Sequence, residues 1–140
     1  MSLAQLYLPP LLGMVALSYL VALAILVSRC GDLLSGRRSL AYYQDWDGSG
    51  ASAAVMRPTR QLANLFEFPV LFYAAVAMIV ACGLRDAWLP GLCRAYVVLR
   101  GLHALVHIAY NRLWLRTPLF MAGQFVLLAL WVRFAVLALA

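Results

Sequence analysis

The residues most able to do chemistry fall into two groups of fixed spacing. Arg60, Asn64 and Glu67 are four and three positions apart, and Arg100, His103, His107 and Asn111 are three, four and four apart, so on helices each group shares one face. Arg60 can hold a carboxylate through its planar fork, Asn64 offers a donor and an acceptor, and Glu67 can accept from an ammonium group or balance an arginine. Together they suit a zwitterionic or peptide-like ligand. Arg112 and Arg116 follow the histidines, where they can bind an anion or stabilise a thiolate by lowering a thiol from its usual pKa of about 8.5. Glu67 is the only glutamate and leads directly into an apolar run. A carboxylate within a membrane helix costs about 2.5 to 3.5 kcal/mol, so it needs a partner or a task.

Other chemistries fit these residues less well. Polar side chains on membrane helices also join helices or subunits, and Arg100 with Glu67 can form a buried ion pair. The spacing of His103 and His107 can chelate a metal from one helix, with Glu67 as a third ligand, but two histidines are a weak metal signal. Hydrogen-bonded neutral imidazoles facing the second helix, or contacts to a bound ligand, account for them better, and we assign no metal. Haem ligation lacks an attachment motif. Histidines titrate near neutral pH, which makes a small proton-linked transporter a further alternative, though no polar series crosses to the far face.

The elements that must position these groups lie in a bilayer. The chain is 66% hydrophobic and only 11% charged, with a mean hydropathy of +0.89, far from the roughly 25% charged of soluble domains. The sequence predicts an all-α, integral membrane four-helix bundle forming a single domain over 1–140. Its spans are expected at about 3–27, 62–82, 91–110 and 118–138, each long enough for about 30 Å of hydrocarbon. Residues 28–61 then form a long polar loop, mobile at its Asp45 to Ser52 tip. Thr117 and Pro118 read as the N-cap and first position of helix four. Pro69 reads as a kink inside helix two, beside Glu67.

All 11 basic residues are arginine, and the formal charge is +6. The positive charges flank helices, which explains them by topology and anionic lipid and excludes a nucleic-acid partner. Loops one and three carry seven arginines against the one, Arg85, of loop two, so loops one and three are expected to be cytoplasmic and both termini opposite. Asn64 and Glu67 then open helix two at the same depth at which His103, His107 and Tyr110 end helix three, and a site between these helices follows. Arg94 and Arg133 lie toward the other face, within reach of the interface. Cys30, Cys82 and Cys93 show no CxxC spacing and an odd count, against a disulfide framework; Cys82 and Cys93 read as small buried thiols. The N-terminus lacks a basic n-region and reads as a retained first helix. Arginine bias without lysine suits a GC-rich bacterial genome and hence an inner membrane.

Four membrane helices, a long first loop and the motif Arg60-x3-Asn64-x2-Glu67-x-Pro69 resemble the MAPEG superfamily, membrane-associated proteins in eicosanoid and glutathione metabolism. That resemblance implies a bundle assembled as a homotrimer, with glutathione as cosubstrate held between adjacent subunits by Arg60, Asn64 and Glu67. Arg100, His103, His107 and Tyr110 complete the expected binding set, and Arg116, then Arg112, is the residue expected to stabilise the thiolate. The expected activity is a glutathione-dependent transferase or peroxidase acting on a lipophilic small molecule from the bilayer. The alternative is a non-enzymatic lipid-binding or regulatory protein. Glutathione-using members commonly have tyrosine after the motif glutamate, where this chain has Phe68, and a proline one residue later than Pro69. They also commonly have tyrosines where it has His103 and His107; these features resemble a bacterial branch of the superfamily.

Overall fold

Apolar runs separated by short polar breaks leave the backbone one way to satisfy its hydrogen bonds in lipid, which is to form helices. The computed structural model describes residues 2–140. Its elements are α1 (Leu3–Leu34), α2 (Leu40–Gln44), α3 (Ala53–Leu65), α4 (Pro69–Ala81), α5 (Leu89–Leu105) and α6 (Leu113–Ala138). A π-helical turn, Val106–Tyr110, closes α5. Helices α3 and α4 are halves of one span, and the shortest span, Leu89–Tyr110, has 22 residues, about 33 Å at 1.5 Å per residue. The chain is an all-α integral membrane protein with four apolar spans.

The helices pack through stripes at heptad-like spacing. On α1 the stripe is Tyr7, Pro10, Met14 and Val21, with Asp32 buried further along, and on α6 it is Gly123, Leu127, Leu130 and Phe134. On α5 the stripe changes character along its length: Leu89, Cys93 and Tyr96 belong to the apolar core, and Arg100, His103 and His107 continue the same face. Lipid tails are as apolar as leucine, so these stripes are held by close packing and interhelical hydrogen bonds and not by escape from water. Phe72 of α4 stacks on Tyr96 with centroids 4.8 Å apart, and Trp131 Nε1 donates to the Leu71 carbonyl at 3.2 Å. At Gly13 an added Cβ would sit 3.0 Å from Val97, so the absent side chain lets α1 approach α5.

Several boundaries differ from the sequence reading, each for a local reason. The second span begins at Ala53, not near residue 62, because α3 carries Arg57, Arg60 and Asn64 on one side and buries Val55, Pro58, Gln61 and Leu65 on another. Pro69 does not kink a continuous helix. The helix stops at Phe66 and restarts with Pro69 at its first turn, where the missing N–H is not needed. Helix four starts at Leu113, with Arg112 in the N-cap position, so Pro118 lies inside it. Cys82 is exposed and only Cys93 is buried; all three cysteines are free.

The 28–61 segment is also more ordered in shape than a plain loop. Helix α1 continues through it to Leu34, and Asp32, only 4% exposed, accepts from Arg37 Nε at 2.9 Å and from the Tyr43 hydroxyl at 3.4 Å. Arg29 lies 4.5 Å from the centre of the Trp46 ring, and Arg38 donates to the Gly50 carbonyl. Cation–π and charge-assisted bonds thus fold this segment onto the end of α1.

At the opposite end, Asp86 accepts from Trp88 N at 2.9 Å and Leu89 N at 3.1 Å, capping α5, and from Arg133 Nη2 at 2.6 Å. The Arg133 hydrogen bond is the main reason that Asp86 is held below the usual carboxylate pKa. A carboxyl with a depressed folded pKa stabilises above its unfolded value of about 3.9 and loses that contribution as pH falls through the folded value. Wild type is therefore expected to show a thermal midpoint in mild detergent that drops below about pH 4 more steeply than that of Asp86→Asn, which keeps a side-chain acceptor without the charge. Parallel curves for the two proteins would contradict the assignment.

Candidate functional site

At the Arg60 end of the bundle three spans enclose a cavity of about 400 Å³, within the range of about 300 to 1,000 Å³ common for small-molecule sites. The second span contributes Arg60, Ala63, Asn64 and Glu67, the third His103 and His107, and the fourth Arg116, Thr117 and Phe120. The break between α3 and α4 is what frees Glu67: it stands outside both helices, exposed and lining the cavity.

Beneath the cavity lies Arg100, fully buried. It makes no ion pair with Glu67. Its Nη2 donates to the Asn64 carbonyl at 3.0 Å and to Asn64 Oδ1 at 2.5 Å, while Asn64 Nδ2 donates to Glu67 Oε2 at 3.3 Å. The amide is therefore inserted between the charges with its oxygen toward the cation and its nitrogen toward the anion. A direct pair is replaced by a polarised relay. Arg100 also lies 5.6 Å from the Phe120 ring centre, a cation–π contact, and its Nε and Nη1 have no hydrogen-bond partner.

The two histidines have different surroundings. His107 Nδ1 is 2.8 Å from Oε1 of Gln61, itself fully buried, so this imidazole is tied to α3. His103 is 3% exposed, lines the cavity, and its Nδ1 has no partner. Their ring centres are 5.7 Å apart, and His103 stands at the same distance from Phe120. Among the described residues, no three His, Cys, Asp or Glu side chains come together as metal ligands.

Thus Arg60, Asn64, Glu67, His103, His107 and Arg116 are brought together, Arg100 supports them from below, and Tyr110 and Arg112 are placed elsewhere. Tyr110 is 66% exposed at the end of the π turn. The turn carries it past the face shared by the histidines. Arg112 occupies the N-cap position of α6 and is exposed, whereas Arg116, one turn further, reaches the cavity. Arg116 was expected here, but from a loop. Thr117 and Phe120 were not expected as lining, because the helix was placed from Pro118, whereas begun at Leu113 it puts Arg116 and Phe120 four apart on one face. Gln61 was missed because it neighbours Arg60 and so belongs to a different face, the buried one.

Electrostatically the cavity favours an anion. Arg60 and Arg116 line it, Arg100 lies behind Asn64, and Glu67 is the only acid lining it. Arg116 also sits in the first turns of α6, where the unpaired N–H groups and the helix dipole already attract negative charge and repel cations. Two arginines at such a helix end, Arg112 and Arg116, are unfavourable for the helix alone.

No curated protein and no solved structure matches the chain. A family model, that of the MAPEG family, matches residues 7–136. With nearly its whole length matched, the chain belongs to the MAPEG family, a superfamily that includes glutathione-dependent and other lipid-handling enzymes.

Proposed function

We propose that the cavity binds glutathione and that the protein is a glutathione-dependent transferase or peroxidase for lipophilic electrophiles, working as a homotrimer. The observation that carries this reading is the convergence of Arg60, Glu67, His103 and Arg116 from three spans on one cavity. Glutathione has two carboxylates, an ammonium group, amides and a thiol. Arg60 and Arg116 suit its anionic groups, Glu67 its ammonium, and the unpartnered His103 Nδ1 a further polar atom.

Arg116, at the N-terminal end of α6, is the residue we assign to the thiolate. The thiol proton passes to solvent water, from which the product alkoxide later recovers one, and the guanidinium stabilises the charge left on sulfur. In a transfer the sulfur lone pair forms a C–S bond while the leaving group departs with its electron pair, or an epoxide C–O bond opens and its oxygen takes up a proton. In a peroxidase reaction the thiolate attacks the O–O bond, giving an alcohol and a glutathione sulfenic acid. A second glutathione converts that to disulfide and water.

The lipophile has an adjacent site. Phe68, Leu71, Gln124, Phe125, Leu128 and Trp131 help to line an apolar groove of about 340 Å³. Phe68 meets Phe120 edge-on at 5.9 Å, so the groove and the polar cavity share an aromatic wall. We assign the loops on the Arg60 side to the cytoplasm by their arginine excess, and a bacterial inner membrane to the protein by its arginine-only usage. A proton-conducting reading has less support, since beyond Arg100 the α5 stripe becomes core at Tyr96, Cys93 and Leu89.

The reading is tested with purified protein, glutathione and a generic aryl halide or lipid hydroperoxide. Conjugation or reduction above the uncatalysed rate is expected. Glutathione binding with turnover of neither electrophile class would leave the lipid-binding alternative, and cross-linking that yields only monomer in mild detergent would remove the trimer.

A further inference from the structure

We infer that Asn111 is a positioning residue that aims Arg116 into the cavity, and that this is why an asparagine occupies its strained backbone position. The inference rests on the assignment of Arg116 to the thiolate. Asn111 joins the third and fourth spans and has φ 49°, in the left-handed region. Glycine meets this requirement with no steric penalty, and among the described residues the other positive-φ positions, Gly36, Gly48, Gly50 and Gly83, are all glycine. Asparagine tolerates the conformation, but a turn alone would not call for it. The side chain supplies the difference: Asn111 Oδ1 accepts from Arg116 Nη1 at 2.8 Å.

Asn111 is itself anchored to the second span. Its N–H closes the π turn on the Val106 carbonyl at 2.7 Å. Arg57 of α3 donates to the Ala109 carbonyl at 3.1 Å, and Gln61 of α3 bonds His107 in the same turn. The chain of contacts therefore runs from α3, which carries Arg60 and Asn64, through the π turn and Asn111 to Arg116. It sets the guanidinium in the same frame as the residues proposed to hold glutathione. A neutral acceptor also orients Arg116 without cancelling its charge, which an aspartate would do.

The test compares wild type, Asn111→Gly, Arg116→Ala and the double variant, using glutathione as the probe. The readouts are the ultraviolet thiolate absorbance of bound glutathione at neutral pH and kcat with an aryl halide. Asn111→Gly suits the backbone, so its thermal midpoint is expected to stay near that of wild type. Its thiolate signal and kcat are expected to fall about three- to tenfold, as loss of orientation does, with little change in KM for glutathione. In the Arg116→Ala background the same substitution is expected to change neither readout, because its effect acts through Arg116. An undiminished thiolate signal in Asn111→Gly, or an equal further loss in the Arg116→Ala background, overturns the inference. Wild type that binds glutathione without any thiolate signal overturns the functional reading, and this inference with it.

Discussion

Arg116→Ala is expected to lower kcat/KM for glutathione conjugation about a hundredfold while leaving the fold intact. The rate effect follows from the place where charge develops: removing one preorganised donor or cation from a developing anion costs about 10²- to 10³-fold in known enzymes. The small stability effect follows from position. Arg116 is only partly buried, its side chain bonds Asn111 at the exposed surface, and it stands at a helix end that disfavours cations. Truncation leaves no buried group unpaired. Steady-state kinetics and a thermal melt on the same preparation separate the two effects. Full activity in Arg116→Ala would remove it from the chemistry, and collapse of the fold would show that its role is structural.

Asn64→Leu, by contrast, is expected to damage the fold. Arg100 is fully buried, and of its partners the closest is Asn64 Oδ1. Removing that acceptor leaves the buried cation with the Asn64 backbone carbonyl as its one hydrogen-bond acceptor, beside the Phe120 ring, and it disconnects Glu67 from the relay. Hydrogen bonds to charged groups contribute about 1.5 to 3 kcal/mol, and an uncompensated buried charge costs more. We expect a loss of about 3 kcal/mol, read as a lower denaturation midpoint in mild detergent. Arg100→Met removes the charge together with its desolvation cost and keeps a flexible chain against Phe120 and Gly123, so it is expected to cost less. Adding Arg100→Met to Asn64→Leu should then restore stability relative to Asn64→Leu alone. Simple additivity of the two losses would show that Asn64 does not act as the bridge.

The contrast between these two residues also shows what the sequence could convey. Helical spacing was enough to turn Arg60 and Asn64 of α3 toward the side of His103 and His107, since a face is a property of local geometry, whereas Glu67 reaches the cavity from the break after α3. It could not show that Asn64 intervenes between Arg100 and Glu67, because the length and rotamer of an arginine decide which acceptor it meets. The same limit hid Gln61, whose only sequence signal is a polar residue at a buried position of α3. The four spans were legible because hydropathy integrates over about 20 residues. Their ends were not, and the error mattered at Leu113: two residues of turn, Asn111 and Arg112, suffice where a longer loop was expected. A π turn and a left-handed asparagine make that possible, and neither has a periodic signature.

Phe68 gives the departure from the glutathione-using pattern a structural setting. Where a tyrosine would offer a hydroxyl, this ring packs on Phe120 between the polar cavity and the apolar groove. Glu67 beside it was expected within helix two, facing helix three; it stands instead at a helix break and meets Asn64. Its cost is thereby reduced without an ion pair. In the proposed reading, polar binding falls to Arg60, Glu67, His103 and Arg116.

Glutathione binding to the detergent-solubilised protein, measured by calorimetry, tests this assignment most directly. Saturable binding at millimolar glutathione or below, weakened in Glu67→Gln and in Arg60→Ala, is the result the account predicts. No heat of binding at millimolar glutathione, from protein that is folded and intact, would contradict it.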